Sequence, residues 1–190
     1  AETDETDNTL FSGGGAQGPV SVTQDDVRLV FGTDGNDVVN GSSKRNTLDG
    51  GLGDDLLVGG HGEDLYIINS ENDFARDVDQ NLRDEIRSSV SFSLRTGSTF
   101  VENLRLTGVE NLNAEDNDLN NQITGNTGNN ILTGSLGNDT LRGGDGDDTL
   151  TDLEGFNRFF GGQGDDTFVL GMENQRVVEL RDAGYDTMSV

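Results

Sequence analysis

The chain has 190 residues and a formal net charge of −24, because 36 Asp and Glu residues outnumber 12 Lys and Arg residues. Only 31% of the residues are hydrophobic, which excludes a thick conventional core and by itself would indicate disorder. The charge excludes nucleic acid as a partner, since its phosphates would be repelled. The lack of Cys excludes disulfides and thiolate chemistry, and no apolar run is long enough to insert into a membrane.

Residues 1–31 precede the repetitive part of the chain. Residues 1–19 are acidic and then glycine-rich, which predicts a linker. The sequences VSV and VRLVF, between Val20 and Phe31, predict two short strands at the start of a domain that spans 20–67.

Two runs of nine-residue units follow, at 32–67 and 116–169. Ten units keep one frame, for example GGLGDDLLV at 50–58 and GGQGDDTFV at 161–169. One apolar residue in every nine, at the eighth position, is neither a helical period nor a simple strand alternation. We interpret each unit as a three-residue strand with its central side chain inward, followed by a six-residue turn. The eighth-position residues are Val39, Leu48, Leu57, Tyr66, Ile123, Leu132, Leu141, Leu150, Phe159 and Phe168.

The turns of these units have a constant composition. The first and the fourth positions are each Gly in eight of ten units, and recurrent Gly indicates tightly curled turns. The sixth position is always Asp or Asn. A single unit cannot bury its eighth-position residue alone, so the frame predicts a solenoid in which stacked units share a core.

The units resemble the GGxGxDxUx nonapeptide of the RTX, or haemolysin-type calcium-binding, family. This resemblance covers nearly half of the chain. It implies an all-β fold, a right-handed parallel β-roll with two units per turn, and several calcium ions held between successive turns. A first roll would lie within 20–67 and a second roll at 116–169. The resemblance also implies export from Gram-negative bacteria by type I secretion.

The repeats contain the oxygen ligands that calcium prefers, which are carboxylates mixed with backbone carbonyls. The predicted carboxylate ligands are Asp37, Asp55, Asp64, Asp139, Asp148 and Asp166. Backbone carbonyl support is expected from Gly35, Gly53, Gly62, Gly137, Gly146 and Gly164.

If two units make one turn, alternate units stack and their sixth positions face each other. The best predicted pairs are Asp37 with Asp55, and Asp148 with Asp166. Weaker pairs contain one Asn, which keeps an oxygen but loses a charge: Asp64 with Asn46, Asp139 with Asn121 or Asn157, and Asp148 with Asn130. Lys44 takes the place of Gly and is expected to spoil its turn as a calcium site. The units at 116–124 and 125–133 could stack through Asn ladders without metal.

Calcium is expected to decide whether the chain folds. Without it, the stacked aspartates repel one another, so metal-binding free energy becomes folding free energy. Extracellular calcium modules bind at about 0.1–1 mM, which predicts a chain that stays loose in the cytosol and folds outside the cell.

Residues 68–115 depart from the nine-residue frame and are predicted to be a connecting insert with β-strands. The alternation of Ile86, Val90, Phe92 and Leu94 predicts one longer strand in DEIRSSVSFSL. The arginines of this insert are interpreted as neutralising nearby carboxylates rather than as an anion site. Residues 170–190 are predicted to begin a further module, because 59–86 aligns with 161–188 at an offset of 102.

Three classes of function are open. The first is a calcium-binding structural or adhesive module of a secreted or cell-surface bacterial protein. The second is the C-terminal folding and secretion module of a type I secreted enzyme, and the third is a carbohydrate-binding module. The long repeat described above favours the first, because a tandem array suits a spacer or an adhesin better than an enzyme appendage.

No catalysis is expected within these residues. The only His, His61, lies in a turn, and no Ser lies in a nucleophile-elbow context. Pairs such as Asp147–Asp148 recur with the repeat, so structural calcium explains them better than glycosidase chemistry. The expected location is extracellular or the bacterial cell surface. Besides calcium, the candidate partners are cell-surface polysaccharide and further copies of the chain.

Overall fold

The computed structural model describes residues 9–10, 29–78, 83–171, 175–178 and 184–190. The predicted strand VSV lies outside the described residues, as does the predicted linker apart from Thr9 and Leu10. The strands, in chain order, are β1 (Thr9–Leu10), β2 (Leu29–Thr33), β3 (Val38–Asn40), β4 (Thr47–Gly51), β5 (Leu56–Val58), β6 (Leu65–Ile68), β7 (Phe74–Arg76), β8 (Glu85–Ser88), β9 (Phe92–Ser93), β10 (Ser98–Thr99), β11 (Asn103–Leu106), β12 (Asn113–Glu115), β13 (Gln122–Thr124), β14 (Ile131–Thr133), β15 (Thr140–Asp145), β16 (Thr149–Asp152), β17 (Arg158–Gln163), β18 (Thr167–Leu170), β19 (Arg176–Val177) and β20 (Thr187–Ser189).

Helix is nearly absent from the described part of the chain. One short helix, α1 (Leu94–Gly97), follows β9. No helix within the described ranges is long and apolar enough to cross a membrane.

The chain divides into two compact units, one formed by 1–86 and 98–101 and the other by 87–97 and 102–190. In the first unit, β1, β2, β4 and β6 lie side by side in one sheet, and β3, β5, β7 and β10 form a second sheet. The strands are parallel, and Val39 lies opposite Leu57, its counterpart two nonapeptides later. Two nonapeptides therefore make one turn of a parallel β-solenoid, as the resemblance implied.

The second unit repeats this arrangement. One sheet runs β11-β13-β15-β17-β19, and the other contains β9, β12, β14, β16, β18 and β20. Ile123 lies opposite Leu141, and Leu132 lies opposite Leu150, so each residue again faces its counterpart two nonapeptides later. The predicted all-β parallel roll is confirmed in both units.

The core of each unit is a column of eighth-position side chains. All ten predicted residues are fully buried, and the two residues that flank each of them along its strand are less buried, so the eighth-position side chains point inward. In the second unit, the rings of Phe159 and Phe168 meet edge to face with centroids 6.3 Å apart. The assignment of the eighth position to the interior is confirmed.

The nine-residue frame continues one nonapeptide beyond its predicted end. Residues 68–76, INSENDFAR, place Asp73 at the sixth position and the buried Ala75 at the eighth. Ala75 lies opposite Leu57 in the parallel ladder, which is the eighth-position pairing seen elsewhere in the solenoid. This nonapeptide escaped detection because its core residue is small and its turn contains no Gly.

The prediction of one longer strand in DEIRSSVSFSL is wrong. The chain forms β8, turns, forms β9 and then enters α1 at Leu94. The hydroxyl of Ser88 causes the interruption, because it donates to the carbonyl of Val90 (2.7 Å) and accepts from the N–H of Val90 (3.2 Å). This local side-chain turn competes with an extended backbone.

A substitution in the core tests whether the eighth-position side chains form a buried column. Leu141→Ala should lower the free energy of unfolding in saturating calcium by about 2–5 kcal/mol, because Leu141 is fully buried and its loss leaves a cavity. Leu136→Ala is the control, since Leu136 is 52% exposed and its change should be within about 0.5 kcal/mol. Chemical denaturation measures both, and equal losses would contradict the inward column.

Candidate metal centre

The sixth-position aspartates lie at the edges of the solenoid, where the chain leaves a turn and enters a strand. All six predicted ligands are buried, with exposures between 1% and 4%. Burial of a carboxylate is costly unless hydrogen bonds or an opposite charge compensate it. The two oxygens of each carboxylate therefore need partners, and these partners differ between nonapeptides.

One oxygen of each stacked carboxylate belongs to a ladder along the edge. The N–H of Asp37 donates to Oδ1 of Asp55 (2.8 Å), and the N–H of Asp148 donates to Oδ1 of Asp166 (2.9 Å). The N–H of Asn130 makes the same bond to Asp148 (2.7 Å). Each of these hydrogen bonds joins sixth-position residues that are two nonapeptides apart. The prediction that sixth positions of stacked nonapeptides face each other is therefore confirmed. Asp and Asn both fit the frame because both carry the acceptor oxygen.

Sixth-position pairs that contain Asn stack in the same way. The N–H of Asn46 donates to Oδ1 of Asp64, and the N–H of Asn121 donates to Oδ1 of Asp139, both at 2.7 Å. The ladder of hydrogen bonds therefore continues through the nonapeptide that contains Lys44. That nonapeptide also keeps its strand register. Whether these Asn-containing edges also bind metal stays a prediction.

The hydrogen bonding of the second side-chain oxygen depends on the residue at the second position of the nonapeptide. In GTDGNDVVN, Thr33 donates to Oδ2 of Asp37 from its N–H (2.5 Å) and from its hydroxyl (2.7 Å). The N–H of Asn126 caps the side-chain oxygen of Asn130 in the same way (2.8 Å). In these two nonapeptides the second-position N–H thus caps an oxygen that could otherwise face a metal.

Two nonapeptides that begin Gly-Gly, at 50–58 and 143–151, leave this oxygen without a donor among the described residues. Gly51 and Gly144 have positive φ, +87° and +122°, a conformation that favours Gly. The N–H of Gly51 is directed at Asp49 instead (3.1 Å). Among the described residues, none donates a hydrogen bond to Oδ2 of Asp55 or of Asp148.

The first glycine of these nonapeptides leaves space beside the carboxylate, and the carbonyl oxygen of a first glycine lines that space. A Cβ at Gly143 would touch both Oδ2 of Asp148 and the carbonyl oxygen of Gly161 in the next turn. A Cβ at Gly50 would likewise collide with Oδ2 of Asp55. Carboxylate and carbonyl oxygens around an uncrowded space are the donor set that calcium prefers. The residues present therefore fit a calcium ion at the Gly-Gly edges.

The fourth-position glycines are closely stacked. Gly53 and Gly164 both have a φ of +124°, and a Cβ on either would clash with the backbone of Gly35 or Gly146 in the preceding turn. These two turns thus require Gly at the fourth position for stacking. A ligand role for the carbonyls of Gly35, Gly53, Gly62, Gly137, Gly146 and Gly164 stays a prediction.

Burial makes several of these carboxyls weak acids in the metal-free fold. Desolvation raises the pKa of Asp55 to about 6 and that of Asp148 to about 7, although ladder hydrogen bonds from Asp37 and Asn130 act in the opposite direction. The charge of the stacked neighbour, Asp73 or Asp166, raises these pKa values further. Protons and metal ions therefore compete for the same oxygens near neutral pH.

The sequence reasoning missed five buried aspartates that line the same edges. They are Asp73, Asp77, Asp84, Asp116 and Asp152. Two carboxylate clusters result, Asp64–Asp77–Asp84 in the first unit and Asp116–Asp139–Asp152 in the second, each with ligand oxygens within 4.8 Å of one another. Asp73 could have been found from its sixth position in 68–76, and Asp84 from its match to Asp186 in the long repeat. The other three replace Gly at the first position, which the frame does not mark as a ligand.

The repeats match a known family. A family profile described as RTX calcium-binding nonapeptide repeat (4 copies) matches residues 31–66, 116–150 and 142–174, which is half of the chain. The chain belongs to the RTX family. Among curated proteins, none matches it. For this RTX chain, family membership and the donor set at Asp55 and Asp148 both indicate calcium binding.

Removal of one charge tests the Gly-Gly sites. Asp148→Asn keeps the ladder oxygen but loses the carboxylate, so calcium affinity at that edge should fall by about tenfold or more. Asp147→Asn is the matched control, because Asp147 is the exposed neighbour and should change affinity little. Calorimetric titration with calcium measures both, and equal affinities would remove Asp148 from the ligand set.

The raised pKa values predict an unusual pH dependence for the metal-free protein. Unfolded Asp has a pKa of about 3.9, whereas the pKa values of buried Asp55 and Asp148 are about 6 and 7, so the folded state binds more protons in this window. Stability should be greatest near pH 4 and should be lost as the pH rises towards 8.

Thermal melting in buffers stripped of calcium by resin, between pH 4 and pH 8, measures this trend. Saturating calcium should reverse its sign, since calcium replaces the protons. A melting temperature that rises with pH in the absence of calcium would contradict the assignment.

Proposed function

We propose that this RTX chain is a calcium-dependent structural module of a secreted or surface-attached bacterial protein. It folds when it meets extracellular calcium and then serves as a stiff spacer or adhesin segment. The observation that carries the proposal is the pair of buried carboxylate oxygens, on Asp55 and Asp148, that face glycine-lined spaces without a donor among the described residues.

The charge of the chain supports a folding switch. With a net charge of −24 and rows of buried aspartates, the metal-free fold is disfavoured at neutral pH. Each calcium ion neutralises two charges and joins adjacent turns, so binding free energy stabilises the fold. A calcium affinity of about 0.1–1 mM would separate an unfolded cytosolic state from a folded extracellular state.

Export by type I secretion is compatible with folding that depends on calcium. A chain that remains unfolded before secretion can be passed through a type I system, and folding outside the cell then prevents its return. The proposal gives the chain a structural role without a reaction of its own. Cell-surface polysaccharide and further copies of the chain are its candidate partners.

A calcium titration followed by far-UV circular dichroism tests the proposal. The β-sheet signal should appear cooperatively between about 0.1 and 1 mM calcium, because ions must neutralise the carboxylate rows before the turns can stack. Magnesium is the control and should not substitute at the same concentration, since it demands a tighter octahedral shell. Full β-sheet signal in calcium-free buffer at pH 7.5 would contradict a calcium-driven switch.

A further inference from the structure

Three buried carboxylates meet at one edge of the second unit. Asp116, Asp139 and Asp152 are at most 1% exposed, and one oxygen of each lies within 4.8 Å of the others. Asp116 and Asp152 occupy the first position of their nonapeptides, where most nonapeptides have Gly, and Asp139 occupies the sixth position of the nonapeptide at 134–142. The cluster therefore draws on three successive turns.

Backbone hydrogen bonds hold this edge in place. The N–H of Asp116 donates to the carbonyl of Thr133 (3.0 Å), and the N–H of Gly134 donates to the carbonyl of Thr151 (2.7 Å). The first positions Asp116, Gly134 and Asp152 are thus stacked, each two nonapeptides after the one before. Two of the three carboxylates belong to this column.

Four oxygens of the cluster have no hydrogen-bond donor among the described residues: both oxygens of Asp116, Oδ2 of Asp139 and Oδ2 of Asp152. Oδ1 of Asp139 accepts from the N–H of Asn121 (2.7 Å), and Oδ1 of Asp152 accepts from the N–H of Glu154 (3.2 Å). Within the part of the chain that the structure describes, neither Oδ2 of Asp139 nor Oδ2 of Asp152 has a hydrogen-bond partner. Such buried acceptors are costly unless a cation compensates them.

Gly134 provides the space in the middle turn. A Cβ at this position would collide with Oδ2 and Cγ of Asp152. Gly134 does not have positive φ, so the backbone conformation alone does not require Gly there. The missing side chain instead makes room beside the carboxylates.

The spacing of the oxygens suits one calcium ion. Two oxygens on the same calcium ion can be separated by at most twice the metal–oxygen distance, about 4.6–5.2 Å. One oxygen of each of the three carboxylates lies within 4.8 Å of the others, so all three can reach a single ion.

The charge of the cluster also calls for a cation. Three carboxylates are buried together, and the nearby Arg95 is already paired with Glu115 (3.4 Å) and Asp118 (3.6 Å). That pairing agrees with the neutralising role predicted for the arginines of 68–115.

We propose that Asp116, Asp139 and Asp152 form a calcium site built from side chains of three successive turns. Its ligand set differs from that of the Gly-Gly edges, because first-position carboxylates replace backbone carbonyls. The inference rests on the proposed calcium-dependent folding and adds a site that the nonapeptide motif does not encode. One ion there fastens three turns together.

Counting bound ions tests the site. The double variant Asp116→Asn/Asp152→Asn keeps side-chain volume and removes two charges, so at saturating calcium it should bind one ion fewer than the unmodified chain. Asp145→Asn is the control, since Asp145 is exposed in the same unit and its loss should leave the count unchanged. Equilibrium dialysis measures the number, and circular dichroism verifies that each variant is folded. An unchanged count in the folded double variant would overturn the site.

A second measurement does not depend on a folded variant. Crystals of the unmodified chain grown with calcium should show an anomalous-scattering peak within about 2.6 Å of an oxygen of each of the three carboxylates. Anomalous peaks at Asp148 without a peak at Asp116, Asp139 and Asp152 would overturn the proposed three-aspartate site. The proposed function would still stand. No bound calcium anywhere in the chain would overturn both.

Discussion

Buried carboxylates set the conditions under which this solenoid is stable. The eighth positions supply only two core side chains per turn, so the edges contribute much of the cohesion between turns. There, the sixth-position oxygen accepts a main-chain N–H from the neighbouring turn, as Asp55 does from Asp37 (2.8 Å). The same arrangement leaves the other oxygen of Asp55 buried without a donor among the described residues. The stacking that orders the backbone therefore creates the need for a cation or a proton.

The residues at the first two positions decide how this need is met. Thr33 donates its N–H and its hydroxyl to Oδ2 of Asp37. The Gly-Gly pair at 143–144 donates no hydrogen bond to Oδ2 of Asp148. It leaves a space lined by Asp148 and the carbonyl of Gly161. Aspartate in the first position, as at Asp152, adds further charge to the edge. One ladder therefore contains nonapeptides whose second-position residue caps a side-chain oxygen and nonapeptides that leave this oxygen uncapped among the described residues.

The sequence predicts the parts of the fold that follow the nine-residue period. The eighth position is the only one that is apolar in all ten nonapeptides, which marks it as the core, and the stacking of alternate nonapeptides follows from two of them per turn. Features that depend on conformation are not visible in the pattern, such as the Ser88–Val90 turn that splits the predicted strand. The cluster around Asp139 is also hidden, because Asp116 and Asp152 are four nonapeptides apart and meet only after three turns have stacked.

Hydrogen exchange followed by mass spectrometry tests most directly whether cation binding at the edges holds the turns together. The sixth-position N–H groups are buried donors in the ladder, so their exchange reports separation of the turns. At pH 7.5, peptides that contain Asp148 and Asp166 should be strongly protected in saturating calcium and should exchange quickly once calcium is removed. Equal protection with and without calcium would mean that the ladder is stable with its carboxylates uncompensated, and would contradict the account.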